Sequence, residues 1–150
     1  MWVFLFTLYL SFIHVDMASN ASQEATQVLV ASNARDLGTS MLAVHNALSA
    51  YITANPTATG GVALSALGLP SWMLLDTRIQ AVIYAGQGFV YFPPSAFSLS
   101  GRPSIADMFT DNATSGLVGI AHSNQLVSAG LGVTNPLPPV IPDNSIVVAD

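Results

Sequence analysis

The residues of this sequence that could do chemistry are three histidines, many serines and eight carboxylates, and their spacing decides what they can do. His14, His45 and His122 stand far apart and form no HxH or HExxH pattern, so no pair is preset to face one metal ion. No G-x-S-x-G elbow raises a serine as a nucleophile, so a Ser-His-Asp site could arise only by tertiary proximity. Asp107 and Asp111 lie at i and i+4. On a helix both carboxylates would share a face, as a weak cation site or, more simply, as solvated surface charge. Gly86-Gln-Gly88 and Gly130-Leu-Gly132 have no strand-to-helix setting and no following lysine, and read as turn glycines rather than phosphate cradles. Cysteine is absent, which removes disulfides, thiolate metal sites and thiol nucleophiles. The residues supply no catalytic grouping, cofactor site or metal site. The expectation is a protein that is not an enzyme.

Composition narrows the partners. The 150 residues leave room for one domain and a leader or anchor. Hydrophobic residues make up 51% and charged residues only 7%, against roughly a quarter charged in an ordinary soluble domain. There is no lysine, the three arginines (Arg35, Arg78, Arg102) are scattered, and the net charge is −5. That balance lacks the basic footprint of nucleic-acid binding and the basic cluster that grips anionic lipid. A neutral surface rich in Ser, Thr, Asn and Gln suits an extracytoplasmic or surface-assembly protein.

Three segments would carry these residues. Residues 1–17 hold an apolar run from Trp2 to Val15 with no formal charge before Asp16. At roughly 15 residues, near 22 Å of helix, it is short against the ~20 that span a bilayer, yet it lacks the basic n-region of a cleaved leader. It is expected to be an uncleaved membrane anchor. A type IV pilin stem would place Gly just before the run and Glu five residues into the mature chain; neither is here. Residues 18–54 contain no proline and one glycine, and Val30, Ala34, Leu37, Met41, Val44, Leu48 and Tyr51 recur at steps of three and four. This predicts an unbroken amphipathic helix of about 55 Å, its stripe packed on the protein's own sheet or against a partner helix. Asn55-Pro56 followed by Gly60-Gly61 stops it.

Residues 55–150 form the remaining domain. Val62–Leu69 reads as one or two helical turns closed by Gly68 and Pro70, and Ile79–Tyr84 and Phe89–Phe92 as a hairpin around Ala85-Gly-Gln-Gly88. Pro103–Thr110 reads as a second short helix. Leu117–Ala121 and Gln125–Val127 form a hairpin around His122-Ser-Asn124, a proline-rich loop follows, and Ser145–Val148 is a closing strand. The fold class is α+β: an apolar segment continuing into a long helix, packed on a small antiparallel sheet in a pilin-like layout.

The order of these segments resembles the short PilM family of type IV pilus biogenesis, found with the thin pili of conjugative plasmids and distinct from the larger actin-like ATPase of the same name. The likeness is carried by the apolar start, by Ser65-Ala-Leu-Gly-Leu-Pro-Ser-Trp72 and by the Ile79–Phe92 hairpin. It continues through Gly119-Ile-Ala-His-Ser-Asn-Gln-Leu-Val127 and Ile141-Pro-Asp-Asn-Ser-Ile-Val-Val148. The resemblance implies a structural component of the pilus machinery at the bacterial inner membrane, in the basal body or pilin-transport apparatus, with other pilus-assembly proteins as partners. The domain would sit in the periplasm. It offers no catalytic residue to carry over, and no cofactor, nucleic acid or small-molecule substrate. The alternatives are a pseudopilin-like or minor subunit that enters the fibre, and a secreted hydrolase. Trp72 and Tyr91 are the candidate partner contacts, taken as exposed aromatics of the kind favoured at interface centres. Trp72 could equally plug the core under Pro70.

Overall fold

The computed structural model describes residues 32–97, 102–109, 118–128 and 132–149. By its internal contacts the chain falls into two units, Met1–Asn33 and Ala34–Asp150, and the architecture that follows is that of the second. The expected anchor at 1–17 lies outside the described residues. So does the 18–31 part of the expected long helix.

Helix α1 occupies residues 32–54. The stripe expected for it is a core stripe: Ala34 is 4% exposed and Met41, Val44 and Leu48 are fully buried, with Leu37 and Tyr51 packed at the margin. Burial of a single such side chain is worth about 1.5–3 kcal/mol, and the helix holds its place through several. Pro56 cannot continue the helix. Its end is tied off by Asn55, whose backbone and side-chain N–H groups both donate to the Tyr51 carbonyl, at 2.9 and 3.0 Å. The helix ends at residue 54, where the sequence placed its end, and the stalk of about 55 Å is not supported.

One antiparallel sheet of seven strands receives α1. In chain order the strands are β1 Gly60–Val62, β2 Gln80–Tyr84, β3 Gln87–Phe92, β4 Val118–His122, β5 Gln125–Ser128, β6 Gly132–Pro136 and β7 Ile146–Ala149. Their spatial order is β1-β2-β3-β7-β4-β5-β6. Side chains alternate across the sheet, as a strand's two-residue period requires. Ala81, Ile83, Val90, Phe92, Val118, Ile146 and Val148 join the α1 stripe in one cluster. Val82, Phe89, Tyr91, Ala121, Leu126, Val147 and Ala149 form a second cluster with Leu137 and Ile141 of the proline-rich loop. Strands β3 and β7 are buried on both faces, which is why they read as unbroken apolar runs.

Several sequence expectations need correction. The sheet is larger than the five strands foreseen. β1 takes up Gly60-Gly61, read as a helix stop, and β6 takes residues before the proline loop. The short helical turn expected within Val62–Leu69 is a 3-10 turn at Leu64–Leu67, closed as expected by Gly68, which lies in the left-handed region, while Val62 ends β1. The first hairpin turn is two residues, Ala85 and Gly86, both at positive φ, so Gln87 and Gly88 belong to β3. The second hairpin has the same geometry at Ser123 and Asn124, which places His122 within β4. The 103–110 helix is reduced to α2, Ile105–Met108.

Candidate functional site

Between the 3-10 turn and β2 the chain runs from Leu69 to Ile79 without regular structure, and this loop exposes apolar side chains that a folded domain usually hides. Trp72 is 77% exposed and Leu74 is 94% exposed. Proline and two turns shape the segment: Met73 N–H donates to the Pro70 carbonyl at 3.0 Å, and Ile79 N–H to the Asp76 carbonyl at 3.1 Å. Trp72 sits inside the first turn, Met73 is half-buried, and Leu75, also half-buried, packs against the core.

Arg78 frames the loop. Its Nε donates to Asp76 Oδ1 at 2.8 Å, and its second guanidinium nitrogen pairs with Asp76 Oδ2 at 2.5 Å, a forked arrangement suited to carboxylate. The Arg78 backbone N–H donates to the same carboxylate at 2.9 Å. The remaining guanidinium nitrogen reaches across to the Ala96 carbonyl at 2.7 Å, and the group lies over the Phe92 ring, 5.1 Å from its centroid. Phe92 in turn stacks on Phe97, with centroids 5.8 Å apart. The side-chain hydrogen bonds from Arg78 hold the Asp76 carboxyl below its ordinary range. The same bonds raise the Arg78 pKa, so both groups stay charged and neutralise one another. A loop that would otherwise be free is thus tied to β3 and to the segment after it.

The other candidates are dispersed. Tyr91 is not an exposed contact residue: it is 5% exposed on the loop-covered face of β3, and its hydroxyl donates to Gln80 Oε1 at 2.6 Å. Burial pushes its phenol pKa up, so it is neutral. Strand alternation puts Tyr91 on the same face as Phe89 and Val147, a position that a pattern of consecutive aromatic residues conceals. Trp72 is not a core plug under Pro70. His45 is half-buried on α1, and exposed His122 ends β4. Asp107 is exposed on α2, which ends at Met108, and Asp111 lies outside the described residues. Asp143 accepts the Ser123 N–H at 2.9 Å, bracing the second hairpin turn. Among the described residues no group of three metal-type side chains converges, and no helix is long and apolar enough to cross a membrane. Sequence reasoning missed Leu74 and the Asp76–Arg78 clamp. The signal for Leu74 was present in Trp72-Met-Leu-Leu75, four apolar residues between a proline and a charged residue that fit neither a helical nor a strand period.

A seven-stranded α+β domain with an exposed apolar loop is the class that fold and surface define. The sequence matches the PilM family over residues 8–149, and the chain belongs to that family. Among solved structures, a protein assigned as PilM from Escherichia coli B7A shares the fold, with a TM-score of 0.56 at 19% identity, over 79% of this chain and 92% of its own. A protein assigned as PilM from Pseudomonas aeruginosa 2192 is 36% identical, over 78% of this chain and 92% of its own, with a TM-score of 0.44. No curated protein matches the sequence.

Proposed function

We propose that this protein is a non-enzymatic structural component of a type IV pilus assembly machinery, working by holding other assembly proteins in place. Membership of PilM, a pilus-assembly family, supports the pilus role. The observation that carries the mode of action is the Trp72–Leu74 loop, apolar, outward-facing and braced from behind by Arg78. Such a feature suits contact with a partner, since large exposed apolar side chains on a closed domain mark interaction sites. The finer reading places the domain in the periplasm at the inner membrane, with residues 1–17 as anchor and the basal body or pilin-transport apparatus as its station.

Deleting the gene is expected to abolish thin-pilus assembly and pilus-dependent conjugation in liquid while pilin is still synthesised. Normal piliation in the deletion strain would end the proposal. Fractionation tests the station: the inner-membrane reading requires carbonate-resistant retention, whereas recovery of the protein in sheared pili would make it a fibre subunit.

A further inference from the structure

We draw no further inference here: the strongest candidate, the outer edge of the sheet at β1, Gly60–Val62, is a three-residue stretch of exposed, glycine-rich backbone, and nothing among the described residues shows what pairs with it.

Discussion

The helix-covered face of the sheet and the Trp72 loop are built from the same kinds of side chain, with opposite outcomes. On the first, Met41, Val44 and Leu48 meet β-strand residues and are completely buried. On the second, Trp72 and Leu74 are mostly exposed, and the polar Asp76–Arg78 pair provides the order that apolar packing provides elsewhere. Apolar character alone therefore does not place a residue. Periodicity matched to a partner surface does, and where the period is missing the apolar residue stays exposed. Substitutions on the helix face should act on folding, and substitutions in the loop on association.

The largest effect is expected from Leu48→Asp or Val44→Asp, either of which puts an unpaired carboxylate into a dry site. The cost of several kcal/mol is on the order of a whole domain's stability margin, so thermal melting should show an unfolded or barely folded chain. A parent-like melt with lost complex formation would make the α1 stripe an interface and break the comparison.

Next in size is Gly38→Ala. In an ordinary helix this change stabilises, but a Cβ here would stand 2.1 Å from the Met108 carbonyl oxygen, where α1 runs against the backbone of α2. A loss of about 1–3 kcal/mol is expected in chemical denaturation. Stabilisation by Gly38→Ala would mean that the two helices are not in contact.

A smaller effect belongs to the loop's clamp and depends on pH. The Asp76 pKa is depressed in the folded chain, chiefly by hydrogen bonds from Arg78. The stabilisation this gives is complete above the unfolded carboxyl's pKa and is lost as pH falls through the lower, folded value. Because the Arg78 side chain is 54% exposed, the effect on global melting is small. Indole fluorescence is the sharper probe. Trp72 emission should change on acidification below the ordinary carboxylate range in the parent, and Asp76→Asn should abolish that transition; an identical titration in both would disconnect the clamp from the loop.

The smallest effect on stability is expected from Trp72→Ala and Leu74→Ser. Each should leave unfolding within about 0.5 kcal/mol of the parent, because neither side chain is packed. A larger loss would show that the loop contributes to the core and would sharpen the boundary between the two regions.

What the sequence determined by itself was whatever depends on neighbours along the chain. The 3-4-3-4 spacing from Ala34 to Tyr51 was sufficient for α1 and for its buried face, because the α-helical period repeats within the element. Pro56 ended the helix, and the apolar runs at 89–92 and 146–148 marked strands buried on both sides. The tertiary structure alone decided where those strands go. Nothing in Ile146-Val-Val-Ala149 says that the last strand lies between β3 and β4, joining two hairpins into one sheet; that follows from pairing both of its edges at once. β1 escaped notice because Gly60-Gly61 reads as a break, and becomes a strand only when β2 supplies its hydrogen bonds. The site divides the same way. Trp72 and Tyr91 are equally aromatic in sequence, but strand pairing buries Tyr91 between neighbours, and a clamp from Arg78 to Asp76 and Ala96 holds open the loop that exposes Trp72. Burial is a property of what comes to lie on top of a residue, and for these two that was settled by segments distant in the chain.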